Sequence, residues 1–381
     1  MKVLFLTGSR SDWGYIKPVI NECKKKNIKS FLCTTNMLLL DSFGSAVQNI
    51  KQDGFKVDEE IYMSLDGYNT FTTTKSMGVF MISFTDIIKK QNPDWVVLAG
   101  DRYETLTACI VCAYTNTPIA HIQAGESSGN IDGVARHAIG KFAHLHFASN
   151  HDAANRLKKL GEEKFRIKTV GAPQLDEIRN YSINKKLNYS KLQSRYLLPN
   201  SKKYYLVIFH SVTEEITKIK KQAEVLINTL ENVKEKKIWI LPNNDPGSSF
   251  IREKLLKEKN EKNLIFENFD RLDFLTIMKN SIAIIGNSSS GIIEAPSFKL
   301  PTVNIGRRQN NRFRAKNVID VKDFNKIKIL KAIKLANSEN FKKTLSRVIN
   351  PYGDGRSSSK IVNELIKMNK NEFLLTKTLT Y

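Results

Sequence analysis

The sequence contains no long apolar stretch, and this absence restricts where the protein can act. No segment approaches the ~20 consecutive apolar residues that a membrane-spanning helix requires. The apolar run in the N-terminal MKVLFLTGSR is too short for a signal peptide. We therefore expect a cytoplasmic protein that does not associate with membranes.

Cysteine is scarce, with four residues in 381. Cys109 and Cys112 form a C-x-x-C pattern within TLTACIVCAY, a pattern that also occurs in redox and metal sites. No second Cys or His pair lies at zinc spacing, and the segment has the character of a buried helix. We interpret the two thiols as core residues and expect no metal and no cofactor.

Acidic residues are fewer than basic ones: the sequence has 38 Asp and Glu and 60 Lys and Arg, which gives a net charge of +22. The lysines alternate with glutamates and apolar residues in segments such as KKQAEVLINTLENVKEKK, which is typical of solvated helix faces. RNP, zinc-finger and basic-zipper signatures are all missing. The charge therefore favours a small anionic ligand over nucleic acid.

Short runs rich in Val, Ile and Phe alternate with helical patterns along the whole chain, which favours parallel sheets covered on both faces. Six such runs lie in the first half: KVLFLTG, KSFLCTT, DWVVLAG, PIAHIQA, LHFAS and IKTVG. Five lie in the second half: YYLVIFH, KIWILPN, NLIFENF, AIIGN and PTVNIG. The pattern predicts an α/β protein with an N-terminal Rossmann-like lobe (1–180), a polar, basic linker (181–203) and a second such lobe (204–355).

Two doubly wound lobes place a ligand cleft at the carboxyl ends of their strands, so polar residues just after strands are candidates for function. In GNSSSGIIEAPSF the serines follow a strand and precede an apolar run, so their hydroxyls and the first helical amides could bind a phosphate. The alternative is that Ser288 or Ser289 only caps a helix.

Carboxylates follow two strands of the first lobe. Asp101 and Arg102 come after DWVVLAG, while Glu126 and Asp132 lie in the loop after PIAHIQA, flanked by His121 and His137. Carboxylates gathered in a cleft can act as general base and acid. The alternatives are that Asp101 or Asp132 caps a helix and that Glu126 is exposed to solvent.

Two further residues end strands at positions suited to an anion. Arg10 follows the first strand, and its guanidinium group has the donor geometry that phosphate oxygens accept. His210 follows YYLVIF and could bind a phosphate or transfer a proton. For His144 and His146, in HLHF, we expect only a structural role.

Together these motifs resemble those of a known family. The set is GSRSDWG, GDRYETLTA, HIQAGESSGNID, RHAIGKFAHLHF, FHSV, PNNDPGS, GNSSSGIIEAPSFKLPTVNIGRRQ and NPYGDG. It resembles, over nearly the whole chain, the hydrolysing UDP-N-acetylglucosamine 2-epimerases of sialic acid and related nonulosonate synthesis. The resemblance implies a GT-B fold with the nucleotide sugar between the lobes and a C-terminal helix (356–381) that returns to the first lobe.

The resemblance also implies a mechanism and a set of residues. The C2 proton is removed and the nucleoside diphosphate leaves to give a glycal, to which water adds, releasing the free 2-epimer. The implied catalytic residues are Asp101, Glu126, Asp132 and His210. The implied substrate-binding residues are Arg10, Arg102, Gln123, Asn243, Ser288, Ser289, Ser290, Gly291, Glu294 (at the ribose) and Arg308.

One position departs from the family pattern. Some members carry a catalytic glutamate as the third residue of an HIxGGE stretch, whereas this chain has Gln123 there and Ala124 in place of the first glycine. A glutamine cannot act as a base, so proton transfer at that site would pass to Glu126 or Asp132.

Several alternatives remain at this point. The substrate is UDP-N-acetylglucosamine or a UDP- or GDP-linked 2,4-diacetamido-2,4,6-trideoxyglucose on the way to legionaminic acid. A non-hydrolysing epimerase typically has HVEAGLR where this chain has HIQAGES. Two further alternatives for the function are a GT-B glycosyltransferase and a non-enzymatic sensor of sugar nucleotides. Relatives form dimers or tetramers, so we expect a homodimer or homotetramer. The segment TFTTTKSMGVFMISFTDIIKK is apolar enough for a helix that pairs between subunits, and the alternative is a core helix.

Overall fold

The computed structural model describes residues 1–44, 46–67, 69–183, 188–368 and 371–380. These residues fold into two compact units, each with its own parallel sheet. The first unit consists of Met1–Ser127, Ile131–Glu177 and Tyr352–Tyr381. The second consists of Ser128–Asn130 and Ile178–Pro351.

The first sheet has seven parallel strands in the order β3-β2-β1-β4-β5-β6-β7. Its strands are β1 (Lys2–Thr7), β2 (Lys29–Thr35), β3 (Glu59–Ile61), β4 (Trp95–Ala99), β5 (Ile119–Ile122), β6 (Leu145–Ala148) and β7 (Ile167–Thr169). The strand order reverses between β1 and β4, where Phe5 lies opposite Val97. In open α/β sheets, ligands bind beyond the carboxyl ends of the strands at such a reversal.

The second sheet repeats this design with six parallel strands in the order β10-β9-β8-β11-β12-β13. Its strands are β8 (Tyr204–Ile208), β9 (Lys236–Ile240), β10 (Asn263–Phe266), β11 (Ile284–Gly286), β12 (Thr302–Ile305) and β13 (Val318–Val321). Here the order reverses between β8 and β11, where Val207 lies opposite Ile285. All eleven apolar runs that predicted strands form strands, and the predicted α/β class is confirmed.

Two strands were not predicted, and both lie at sheet edges. β3 begins with Glu59 and Glu60, and β13 contains Asp320. Edge strands are covered less completely than central ones and therefore tolerate polar residues. Neither strand carries the continuous apolar run by which the central strands are identified.

The helices flank both sheets. They are α1 (Arg10–Lys25), α2 (Val47–Gln52), α3 (Thr70–Gln91), α4 (Tyr103–Tyr114), α5 (Ile131–Phe142), α6 (His151–Lys159), α7 (Gln174–Ile183), α8 (Tyr189–Tyr196), α9 (Ile219–Glu231), α10 (Ser248–Lys257), α11 (Arg271–Asn280), α12 (Ser290–Ile293), α13 (Lys326–Asn337), α14 (Glu339–Ser346), α15 (Ser357–Lys367) and α16 (Glu372–Leu375). Among the described residues, no helix is both long and apolar enough to cross a bilayer.

The C-terminal segment belongs to the first unit. Ile361 and Leu365 of α15 share a buried cluster with Ile16 and Val19 of α1. The start of α15 is held by Asp176, whose carboxylate accepts the Ser357 N–H at 2.8 Å and the Ser358 N–H at 2.7 Å. A buried carboxylate at a helix N-terminus satisfies amides that lack a partner within the helix.

The segment 181–203, interpreted as a linker, contains the end of α7 and the helix α8, while residues 184–187 lie outside the described part of the chain. Tyr189 and Leu192 of α8 are buried in a core cluster of the second unit. The Tyr189 ring stacks on Tyr204 with centroids 5.9 Å apart. This part of the segment is therefore packed structure of the second unit.

The C-x-x-C pair lies inside α4 with both thiols buried and reduced. Burial raises the pKa of the Cys109 thiol to about 12 and that of Cys112 well above its ordinary range. A thiol that stays protonated is a poor nucleophile and metal ligand. The interpretation of these residues as core thiols is confirmed.

Gly286 ends β11 where that strand runs closest to β8. Its φ is +130°, and a Cβ atom there would lie 2.0 Å from the carbonyl oxygen of Ile208. Both the backbone conformation and the backbone contact therefore require glycine. This position fixes the two strand ends from which the polar loops of the second unit emerge.

We expect Gly286→Ala to lower the free energy of unfolding by more than ~3 kcal/mol, because neither the φ angle nor the Ile208 carbonyl can adjust without breaking strand pairing. Urea denaturation measures this change. The control is Gly78→Ala in α3, where a Cβ meets nothing within 4 Å and helix propensity favours alanine by ~1 kcal/mol. Equal urea midpoints for the two variants would contradict the assignment of Gly286.

Candidate active site

Asp101 follows β4 and forms an ion pair with Arg136 of α5. The Arg136 side chain is 1% exposed and the Asp101 side chain 16% exposed. Nε and Nη1 of Arg136 have no hydrogen-bond partner within the described part of the chain. The Asp101 carboxylate is thus fixed by an ion pair with a buried guanidinium group, and it remains partly accessible to solvent. Arg136 was not among the predicted residues, although it lies four residues after Asp132 on the same helix face.

Glu126 lies beyond β5 and is buried, so the alternative of a solvent-exposed Glu126 is wrong. Its Oε1 accepts a hydrogen bond of 2.5 Å from the hydroxyl of Ser149, which follows β6. Neighbouring parallel strands end at the same edge of the sheet, and this contact joins two of their loops. The bond fixes the direction in which the carboxylate points.

Gln123, directly after β5, has a φ of +63°, which is uncommon for a residue other than glycine. Its side chain is 2% exposed, and its Nε2 has no hydrogen-bond partner among the residues described. Strained backbone and unsatisfied buried donors cluster at functional sites. Gln123 is therefore a candidate for ligand binding, although its amide cannot act as an acid or a base.

Three histidines of the first unit are buried and bonded within the protein. His121 Nε2 lies 2.7 Å from the Gly100 carbonyl, and burial lowers the His121 pKa to about 3. His144 Nδ1 accepts the Ile119 N–H at 3.1 Å, and His146 Nε2 lies 3.0 Å from Glu162. Burial lowers the pKa of His144 and His146 as well. The expected structural role of His144 and His146 is confirmed.

Arg10 and Arg102, predicted to bind phosphate, are both engaged within the first unit. Arg10 Nη2 donates to the Phe43 carbonyl. Arg102 Nε donates to Glu104 Oε1 at 2.8 Å, and Arg102 is only 8% exposed. Glu104 is fully buried and was not predicted from the sequence. It fixes the orientation of the Arg102 guanidinium group.

Asp132 lies in the first turn of α5 and is partly exposed. The preceding residues Ser128–Asn130 belong to the second unit, where the Gly129 N–H donates to the Arg308 carbonyl at 2.9 Å. Arg307 Nε donates to the Gly129 carbonyl, also at 2.9 Å. A Cβ at Gly129 would lie 1.8 Å from the Arg307 carbonyl oxygen, so this close approach requires glycine.

In the second unit, Asn287 ties together the loops after β8 and β11. The His210 N–H donates to Asn287 Oδ1 at 2.8 Å, and Asn287 Nδ2 donates to the His210 carbonyl at 2.9 Å. The Asn287 carbonyl accepts from Gln309 Nε2 at 2.9 Å and from Arg308 Nη1 at 3.4 Å. Asn287 therefore positions His210 and Arg308, although sequence reasoning missed it.

The serine loop leads into a shorter helix than expected. α12 has a single turn, and a 3-10 turn over Ala295–Phe298 follows it. Ser289 occupies the N-cap position without a side-chain capping bond, and Ser288 Oγ lies 2.8 Å from Ser290 Oγ. Ser288 and Ser289 are partly exposed. Because one turn of helix carries little dipole, the hydroxyls and loop amides would have to supply most of any anion binding.

His210, Asn243 and Arg308 lie around Asp245. The Asn243 N–H donates to His210 Nδ1 at 3.4 Å, and Asn243 Nδ2 donates to Asp245 Oδ2 at 2.7 Å. Arg308 Nη2 lies 4.0 Å from the same oxygen. In a neutral His210 that accepts through Nδ1, the ring proton is on Nε2.

Glu294, expected at a ribose, is 5% exposed and forms an ion pair with Arg271 at the start of α11. The structure therefore joins His210 and Arg308 through Asn287, with Asn243 bonded to His210, whereas Glu294 lies in a separate ion pair. Sequence reasoning missed Asp12, Glu104, Arg136, Asp245, Arg271 and Asn287. The described residues contain no cluster of three or more His, Cys, Asp or Glu side chains able to hold a metal ion.

Known proteins share this architecture. The model of the UDP-N-acetylglucosamine 2-epimerase family matches residues 21–366. A UDP-N,N'-diacetylbacillosamine 2-epimerase (hydrolyzing) of Legionella pneumophila is 35% identical, over 100% of this chain and 99% of the relative. A GDP/UDP-N,N'-diacetylbacillosamine 2-epimerase (hydrolyzing) of Campylobacter jejuni is 31% identical over 84% of both chains.

The fold also matches a solved structure. The UDP-GlcNAc 2-epimerase of Neisseria meningitidis, bound to UDP-GlcNAc, superimposes with a TM-score of 0.82 at 20% identity and covers 97% of this chain and 100% of the other. This likeness confirms the predicted GT-B fold with two Rossmann-like lobes. The matched residues and full-length relatives show that the chain belongs to the UDP-N-acetylglucosamine 2-epimerase family.

Proposed function

We propose that this protein is a hydrolysing 2-epimerase, which converts a nucleotide-linked 2-acetamido sugar into its free 2-epimer and a nucleoside diphosphate. The observation that carries the proposal is the 35% identity, along the whole chain, to a relative named as hydrolysing. The names of two such relatives favour UDP-N,N'-diacetylbacillosamine, a 2,4-diacetamido-2,4,6-trideoxyglucose, as the sugar substrate. UDP-GlcNAc is the second candidate, because the family and the solved structure carry its name.

The reaction has two halves. A base removes the C2 proton, the C1–O bond breaks, and the diphosphate leaves with that electron pair to give a glycal. A hydroxyl group from water then bonds to C1, and a proton bonds to C2 on the face opposite to the one from which the first proton was removed. Two proton-transfer groups and a set of anion-binding donors are therefore required.

We assign proton transfer to Asp101, Glu126 and Asp132. The burial of Glu126 and its bond from Ser149 support this role, because a fixed carboxylate loses little entropy when it meets the sugar. Arg136 supports Asp101 in the same way. Gln123 would donate a hydrogen bond through Nε2, so the missing glutamate at this position leaves the base and acid roles to the other three.

The second unit would hold the diphosphate. Ser288, Ser289 and Arg308 supply donors, and His210 would donate from Nε2 because its Nδ1 accepts the Asn243 N–H. Asn287 fixes His210 and Arg308 before any ligand arrives, so these two donors need little reorganisation as negative charge develops on the leaving group. Glu294 is assigned to the ribose hydroxyls. Its carboxylate would then accept hydrogen bonds from these hydroxyls and from Arg271 at the same time.

Mass-resolved product analysis tests the function. The panel contains UDP- and GDP-linked N,N'-diacetylbacillosamine and N-acetylglucosamine. A hydrolysing epimerase releases free nucleoside diphosphate and a free 2-epimer. An epimeric nucleotide sugar would instead identify a non-hydrolysing enzyme, and a requirement for an acceptor would identify a glycosyltransferase.

We expect Glu126→Gln to lower kcat at least ~100-fold, because the amide keeps the shape of the side chain but cannot exchange a proton. The affinity for UDP, measured by calorimetry, should stay within a factor of two or so of the wild-type value. Glu253→Gln, at an exposed position of α10, is the matched control and should leave kcat unchanged. Wild-type turnover by Glu126→Gln would remove Glu126 from the mechanism.

The combination of Ser289→Ala and Arg308→Ala should raise KM for the nucleotide sugar by ~100-fold or more, since each change removes a donor to the diphosphate. Steady-state kinetics and UDP titration measure the loss. Ser346→Ala combined with Arg347→Ala serves as the control pair, because both residues are exposed on the second unit. An unchanged UDP affinity in the first pair would place the diphosphate elsewhere.

A further inference from the structure

Three carboxyl groups and two guanidinium groups are packed beyond β1 and β4, where the order of the first sheet reverses. The carboxyl groups belong to Asp12, Asp101 and Glu104, and the guanidinium groups to Arg102 and Arg136. Asp12 is 4% exposed and Glu104 is fully buried. The proposed mechanism uses Asp101 but gives no role to Asp12 or Glu104.

Two glycines lie against these groups, and the packing requires glycine at position 8. A Cβ at Gly8 would lie 2.2 Å from Glu104 Oε1. A Cβ at Gly100 would lie 3.6 Å from Asp12 Oδ1 and 3.8 Å from Gln123 Oε1. The Asp12 carboxyl and the Gln123 amide thus flank the residue that precedes Asp101, and the Gln123 Nε2 is buried with no partner within the described residues.

Of these three acids, Asp12 is the one that forms no ion pair with an arginine within the described part of the chain. Arg102 binds Glu104 at 2.8 Å, and Arg136 binds Asp101. Asp12 is in contact with Ser9, whose Oγ also accepts the Asp12 N–H at 3.2 Å. Asp12 Oδ2 has no hydrogen-bond partner among the described groups. Three acids and two cations are packed together here, so one bound proton balances the charges of these five groups.

The surroundings of Asp12 favour that proton. Burial raises the Asp12 pKa most, the charge of Glu104 raises it further and Asp101 adds to it, whereas Arg102 and the Ser9 hydroxyl lower it. The outcome is a pKa of about 7, against 3.8 for an ordinary aspartate. The group therefore changes charge within the pH range in which the enzyme would work.

We propose that Asp12 carries an exchangeable proton and is a positioning residue for Asp101 and Arg102 in the epimerase reaction. This inference rests on the proposed function for its catalytic part. With the proton bound, the two cations balance Asp101 and Glu104, and Arg102 keeps its orientation. With the proton lost, a further buried negative charge repels an anionic nucleotide sugar and competes with Glu104 and Asp101 for the two guanidinium groups.

A purely structural role for Asp12 makes a different prediction. If Asp12 only held Arg102 in place, Asp12→Asn would reduce activity equally at every pH. A proton-carrying Asp12 is instead mimicked by the neutral asparagine. Asp12→Asn should therefore resemble the wild-type enzyme at low pH and differ from it only where Asp12 ionises.

The first test uses thermal unfolding and needs no substrate. Because the folded-state pKa of Asp12 is raised, folded protein binds the proton more tightly than unfolded protein between pH 4 and 7. The stability contributed by this proton is complete below pH 4 and is lost as the pH rises to 7. The asparagine side chain of the variant has no proton to lose, so the Tm of Asp12→Asn minus that of the wild type should grow by ~2 °C or more from pH 5 to pH 8.

Asp86→Asn provides the matched control, because it removes the same charge from an exposed position of α3. Its Tm difference from the wild type should not change with pH. A Tm difference for Asp12→Asn that is equally independent of pH would overturn the proton site, whatever reaction the enzyme catalyses.

The second test is the pH profile of kcat/KM with the nucleotide sugar that the product panel identifies. The wild-type value should fall on the order of tenfold between pH 6.5 and 8.5, and Asp12→Asn should lack this fall. If kcat/KM of the two enzymes changed with pH in the same way, the positioning role would be overturned. The proton site itself is decided by the Tm comparison. Absence of wild-type turnover on the whole panel would remove the proposed function and the positioning role together.

Discussion

The buried pairing of arginine with carboxylate at the carboxyl edge of the first sheet is the interaction on which the candidate site depends. A single charge in such a position is costly, and removal of one partner would leave the other uncompensated. The pairs Arg136–Asp101 and Arg102–Glu104 therefore secure each other's side-chain positions. They also place these carboxylates beside guanidinium groups at a largely buried edge of the sheet, where electrostatic interactions are stronger than in water.

The second unit meets the same need for fixed polar groups by a different route. There the reciprocal hydrogen bonds between Asn287 and His210 join two loops, and Asn287 also receives Arg308 and Gln309 through its carbonyl. These bonds involve backbone groups, which are fixed by β8 and β11. The close approach at Gly286 is thus the condition for the whole arrangement, since any side chain there would separate the two strand ends.

The sequence was most informative where burial is most complete. Central strands such as β1 and β4 are buried along almost their whole length and carry apolar runs, whereas the edge strands β3 and β13 contain acids and were missed. Asp101, Glu126 and His210 were found because they follow strands, which is a sequence-local property. Their partners Arg136, Ser149 and Asn287 come from other segments of the chain, and only the three-dimensional contacts identify them.

Asp12 and Glu104 illustrate a further limit. Each lies within or close to a motif that the sequence made conspicuous, yet each also lies in the first turn of a helix, where an acid is ordinary. Their significance comes from their proximity in the fold: Gly8 leaves room for the Glu104 carboxyl group, and the Asp12 carboxyl group lies beside Gly100. Spacing along the chain carries no signal of that proximity.

In the proposed reaction, the two units divide the requirements of the elimination between them. Proton transfer at carbon needs carboxylates held in fixed positions, and the first unit would supply them at the buried or partly buried ends of its strands. Departure of a diphosphate needs several donors that a ligand can reach, and the second unit supplies partly exposed hydroxyls and a guanidinium group. The buried Gln123 fits this proposed division, because it would offer the sugar a donor without adding a third negative charge to those of Glu126 and Asp101.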